Sequence, residues 1–150
     1  MNTIARITAA LAVCAASAVA APAAVAQGTT LTVSSWVPQT HLIMKDIVMP
    51  WAAEVEKATE GRVKFRFLPK GVASPIDHFD AVRDGLADVA FISHSYTPQR
   101  FPLTRFGVLP FGGKDAESGS VALWRVYDRH FAAVNEHKGV KLLTIYTTAP

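Results

Sequence analysis

The chain has little sulfur and little net charge. Of its 150 residues Cys14 is the single cysteine. It lies in an N-terminal stretch expected to be removed, so the mature chain has no disulfide to form and packing alone must hold it. The formal charge is +3, and one less once the segment carrying Arg6 is gone. A balance so small and evenly spread excludes a nucleic-acid partner and a membrane surface as the basis of function. After the N-terminus no apolar run is long enough to span a bilayer, so no membrane insertion of the mature chain is expected. His-Glu-x-x-His spacing, a Gly-rich phosphate loop and a Gly-x-Ser-x-Gly turn are all missing. The residues therefore point to no metal and no cofactor, and no paired nucleophile and base supports a hydrolase.

What is present begins with an export leader. Met1 to Arg6 carries one positive charge, and Ile7 to Ala21 is an apolar, Ala-rich run. At about 15 residues it is shorter than the ~20 of a membrane-spanning helix. Ala24-Val25-Ala26 puts small residues where a signal peptidase reads, which places cleavage before Gln27. Residues 1–26 are read as a signal peptide and 27–150 as the mature chain, long enough for one compact domain. A lipid-attachment box at Cys14 is disfavoured because Val13 is too large for its position.

The mature chain alternates strand and helix. Leu31 to Ser35 has strand character. Trp36 to His41 turns into a helix whose stripe is Ile43, Ile47, Trp51 and Val55. Pro50 sits inside that stripe and removes a backbone donor, which predicts a kink or restart. Gly61 ends the helix in a left-handed conformation. Arg62 to Phe67 alternates charge with hydrophobe, as a guarded edge strand does.

Ser74-Pro75-x-Asp77 predicts the start of a second helix, with Ile76, Phe79 and Val82 buried. Val89 to Ser93 reads as a central strand covered on both faces. Ser93 to Phe111, with three prolines and four aromatics, reads as an ordered crossing broken by Gly112-Gly113. A long helix from about Ala116 is expected to bury Val121, Trp124, Tyr127, Phe131 and Val134 and to be capped at Gly139. Val140 to Tyr146 reads as a last strand. This alternation predicts an α/β fold with a mostly parallel sheet.

With these elements in place the chain resembles the DctP-like periplasmic solute-binding proteins of TRAP transporters. The matching residues are Trp36 to His41, Pro50 with Val55 to Val63, Phe79 to Val89, Tyr96 to Leu103, Leu109 to Phe111, and Gly139 to Leu143. Their order and spacing carry the resemblance, and the leader agrees with it independently. The resemblance implies the first lobe of a two-lobed, periplasmic-binding-protein-like (type II) fold that closes on a small organic acid. It implies delivery to TRAP membrane permease subunits driven by an ion gradient, and no enzymatic activity. It also implies a second lobe beyond Pro150 holding an arginine that clamps the ligand carboxylate through two parallel hydrogen bonds. A binding protein of an ATP-driven importer shares the fold. A secreted hydrolase and a structural or adhesive periplasmic module are the readings from other classes.

In an open parallel sheet, ligands sit beyond the C-terminal strand ends. That rule selects three places expected to border the cleft, Trp36 to His41, Gly71 to Asp77 and Ser93 to Tyr96, with Trp36 as an apolar wall, His41 as a donor, and Ser93, His94 and Tyr96 as polar groups. Asp77, a helix-start acid, and Arg100, in the aromatic crossing, are further ligand-binding candidates. Each has a plainer role: core packing for Trp36, loop bracing for Arg100. Ser93 and His94 are read as strand neighbours facing opposite ways, not as a catalytic pair. Asp77, Asp80 and Asp84 read as a solvated helix stripe, and His130 and His137 as lone surface histidines.

Overall fold

In the computed structural model, which describes residues 28–109 and 114–148, the chain builds on β1 (Thr29–Ser35), β2 (Val63–Phe67) and β3 (Val89–Phe91). The leader, Cys14, Phe111 and Gly112-Gly113 lie outside the described residues. The strands pair in parallel in the order β2-β1-β3. Thr29 to Val33 align with Val63 to Phe67, and Val33 to Ser35 with Val89 to Phe91. Parallel neighbours need a crossover. Here α1 (Met49–Ala58) links β1 to β2, and α2 (His78–Arg83) links β2 to β3.

The Pro50 expectation holds. Ile43–Val48 is a wide π-helical turn, and regular α-helix begins at Met49 with proline in its first positions. Of the predicted stripe Ile43 is buried and Val55 half-buried, but further along the face shifts by one residue: Met44 and Ala52 are buried, whereas Ile47 and Trp51 are exposed. The π-turn adds a residue to the repeat and so rotates the face. Gly61 has φ 74° and its N–H reaches Glu56 O at 2.8 Å, which closes α1. Val33, Val37 and Met44 form the core beside the sheet, joined by Trp36, Phe65, Phe67 and Phe91.

β2 lies at the sheet edge, as its alternating charges predict. Its outward amide at Phe65 donates to Glu56 Oε1 at 2.8 Å, so a side chain from α1 satisfies the edge. The expected central strand is instead β1. β3 is only three residues long, half-buried, and among the described residues occupies the other edge. The reason is that residues 140–146, expected as a fourth strand, form no ladder with it. Their continuation is held by α3 (Ala116–Val126) instead: Thr147 N donates to Ser120 Oγ at 3.0 Å, and Ser120 Oγ donates to Thr147 O at 3.2 Å.

Two helix expectations are corrected. α2 begins at His78, three residues after Pro75, and leaves Ile76 outside the helix and 56% exposed. The long C-terminal helix is regular only over α3, then widens at Tyr127–Phe131 and tightens at Ala132–Val134. Asn135, at φ 58°, ends it before Gly139 is reached. Its buried positions are Gly119 and Leu123, while Val121, Trp124 and Val134 are exposed. The described part of the crossing after Ser93 is pinned by Phe101 at 0% exposure.

Candidate functional site

A cavity of about 1050 Å³ opens between β3 with its C-terminal extension and the 140–148 segment. Trp36, His41, Ser93, His94 and Tyr96 all line it; Asp77 and Arg100 do not. Five of the seven candidates thus line one cavity, past the C-terminal ends of β1 and β3, whereas residues 71–77 after β2, expected at the cleft, do not line it.

The wall is aromatic. Trp36 stacks on Phe91 at 6.1 Å between centroids, and Phe91 stacks on Tyr146 at 6.4 Å. Tyr96 meets Trp36 edge-on at 5.3 Å. Such near-parallel and T-shaped pairs are the favoured geometries for ring quadrupoles. Trp36 Nε1 and Tyr146 OH are both buried without a hydrogen-bond partner among the described residues. Burial pushes the Tyr146 hydroxyl up from its ordinary range, so it stays a neutral donor.

His41 Nδ1 accepts from the Ile43 amide at 3.3 Å, which ties it to the start of the π-turn. Ser93 lies past the end of β3, and its hydroxyl bonds Ser95 at 2.8 Å. His94 opens a 3₁₀ turn, His94–Tyr96, so the strand-neighbour reading of Ser93 and His94 does not apply. Its ring stacks on Phe101 at 4.1 Å.

Residues that sequence reasoning passed over complete the site. His137, expected on the surface, is buried, and its Nε2 lies 3.3 Å from His94 Nε2. The short helix end turns it inward. Burial, then the neighbouring His137 charge, lowers His94 to about 4, while Glu136 opposes them weakly. Burial also lowers His137. The Glu136 carboxylate accepts from Leu103 N at 2.6 Å and from Thr104 N and Oγ1 at 3.0 and 2.8 Å. Burial raises its pKa, but these donors outweigh burial and the net shift is downward.

Asp77 accepts from Ser74 Oγ at 2.5 Å. Arg100 forms a forked pair with Asp80, at 2.9 and 3.0 Å, and lies over the Phe79 ring at 4.5 Å. Asp80 is therefore not part of a free solvated stripe; it bridges Arg83 and Arg100. Among the described residues no cluster of three or more His, Cys, Asp or Glu side chains is placed to hold a metal.

A serine–histidine pair does exist, unforeseen from sequence. Ser34 Oγ lies 2.9 Å from His78 Nε2, and His78 Nδ1 lies 3.0 Å from Ser74 O. Ser34 and His78 are both at 0% exposure, and Ser34 Oγ already accepts from Val72 N at 3.1 Å. A hydroxyl so enclosed has no path to a substrate carbonyl, so the pair is a buried brace.

Residues 33–149 match the model of DctP, the bacterial extracellular solute-binding protein, family 7. The chain belongs to that family. Among solved structures, this member is similar to a TRAP periplasmic solute-binding protein from Bordetella bronchiseptica with bound (R)- and (S)-mandelate. The two are 55% identical, with a TM-score of 0.77 over 81% of this chain and 39% of that one. It is also similar to a marine-metagenome TRAP solute-binding protein in complex with 3-hydroxybenzoate, with 30% identity and a TM-score of 0.74 over 83% of this chain and 39% of that one. A curated relative, the outer membrane transporter protein TsaT of Comamonas testosteroni, is 36% identical over 83% of this chain and 37% of its own length. This family member thus spans less than two fifths of the relatives it matches. The solved structures agree with the expected parallel α/β fold. No described helix is long and apolar enough to cross a membrane.

Proposed function

We propose that this chain belongs to the periplasmic binding subunit of a TRAP transporter, that it captures a small aromatic carboxylate, and that it delivers it to an ion-gradient-driven permease without chemical change. The observation that carries this reading is the aromatic wall of Trp36, Phe91 and Tyr146 at the C-terminal strand ends. Stacked flat rings favour a flat apolar ligand body, and the polar groups beside them fix its oxygens. The mandelate and 3-hydroxybenzoate bound by the similar proteins have that form.

In this reading Trp36 and Tyr96 hold the ring, and His41, Ser93 and His94 reach its oxygens. Asp77 and Arg100 act by holding the adjoining loops. Residues 1–26 direct export, residues 27–150 form the first lobe, and a second lobe beyond Pro150 carries the carboxylate-clamping arginine.

A thermal-shift screen of aromatic and aliphatic acids on the full-length protein tests the proposal. A ligand bound only by the folded state, at 100 times its Kd, stabilises it by about 2.7 kcal/mol. At least one aromatic acid should raise the Tm. A flat response to every acid would refute the receptor reading.

A further inference from the structure

His94 and His137 meet nitrogen to nitrogen, Nε2 to Nε2 at 3.3 Å. Two N–H groups facing each other repel, and so do two lone pairs, so one ring donates and the other accepts. The remaining nitrogen of His137 decides the direction. His137 is 3% exposed, and its Nδ1 is buried without a partner among the described residues. If His137 accepted at Nε2, its own proton would sit on Nδ1 as a buried, orphaned N–H. Buried N–H groups without a partner are rarer than bare acceptors. The arrangement that avoids the rarer orphan has His137 carry its proton on Nε2 and donate it to His94.

We propose that His137 is a positioning residue: by donating to His94 Nε2 it locks His94 in the tautomer that holds its proton on Nδ1, and so presents an N–H to a ligand oxygen in the cavity. This rests on the carboxylate-receptor reading above. The ring planes are fixed independently. His94 stacks on Phe101 at 4.1 Å, and His137 lies against Phe101 at 5.2 Å and edge-on to Tyr127 at 5.7 Å. Glu136 anchors the His137 backbone to the amides of Leu103 and Thr104. Among the described residues no protein group bonds His94 Nδ1, and His94 lines the cavity. Burial keeps both rings neutral at neutral pH, the state in which a tautomer is defined.

The test uses the full-length protein labelled with nitrogen-15 histidine. Long-range proton–nitrogen correlation at neutral pH should show Nδ1–H on His94 and Nε2–H on His137. Mandelate affinity is then measured by calorimetry for His137→Gln and His137→Leu. The glutamine amide N–H falls where Nε2–H was and should keep affinity within about twofold, whereas leucine should lose about tenfold, one hydrogen bond to a charged acceptor. An Nε2–H spectrum for His94 in the wild type overturns the proposal, even if the leucine variant fails to fold. Equal affinity loss in both variants also overturns it. Failure of the wild type to bind mandelate or any other acid counts against the receptor reading, while the ligand-free spectrum still decides the tautomer.

Discussion

Ser34 Oγ and His78 Nε2 lie 2.9 Å apart in the interior, joining β1 to the first residue of α2. The Val72 amide and the Ser74 carbonyl complete the chain of bonds, so every polar atom in it has a partner. Gly71 permits this. A Cβ there would come within 2.7 Å of Ser35 O and 3.2 Å of His78 Cε1.

Ser34→Ala should therefore destabilise the protein by about 1–3 kcal/mol, because it strands the Val72 N–H and a histidine nitrogen. Urea denaturation measures this. An unchanged midpoint would mean that the brace carries no stability.

The Glu136 carboxylate takes three donors from Leu103 and Thr104. Glu136→Gln removes the charge and turns one acceptor into a donor, at a cost of about 1.5–3 kcal/mol. Amide exchange at Leu103 and Thr104 should speed up ahead of global unfolding. Exchange that stays slow at both would show that the loop is held by other contacts.

Acid should destabilise the fold in two windows. His94 has a folded-state pKa lowered to about 4, so between about 6.5 and about 4 the unfolded chain binds the proton and the folded one does not. Stability is then present above pH 6.5 and lost as pH falls towards 4; His137 acts in the same direction. Glu136, also lowered, contributes stability above its unfolded pKa and loses it at still lower pH. The groups facing His94 are His137 and Glu136, so His94→Phe should flatten the upper window. A flat stability profile from pH 7 to 4 in the wild type would contradict the burial of this pair.

Tyr146→Phe removes a hydroxyl that has no partner among the described residues. The ligand-free variant should be as stable as the parent or slightly more so, since a buried orphan is lost. Its affinity for the acid that stabilises the parent should fall several-fold. Lower ligand-free stability with unchanged affinity would remove Tyr146 from the site.

Arg100→Lys keeps the charge but gives up the fork on Asp80 and the flat contact with Phe79. A loss of about 1 kcal/mol in stability with affinity retained is expected, given the partly exposed pair. Lost affinity at full stability would put Arg100 among the ligand contacts.

Trp36, His41, Ser93, His94 and Tyr96 were readable as neighbours because each follows a strand, and parallel topology brings strand ends together. His137 and Tyr146 were not. His137 turns inward because the helix ends at Asn135, and that ending depends on how Tyr127–Phe131 packs. Tyr146 reaches the site from a segment that looks like a strand but is held by Ser120 and by stacking on Phe91.

Local periodicity, Pro50, Gly61 and the charged alternation of Arg62 to Phe67 were enough to determine the parallel α/β lobe and its edge strand, since each acts through backbone sterics or one-sided burial within a few residues. Tertiary structure alone decided that β1 is the central strand, that Ser34 meets His78, and that His94 meets His137. Those outcomes turn on contacts between residues 44 and 43 positions apart or on a ladder that does not form, and no local pattern encodes either.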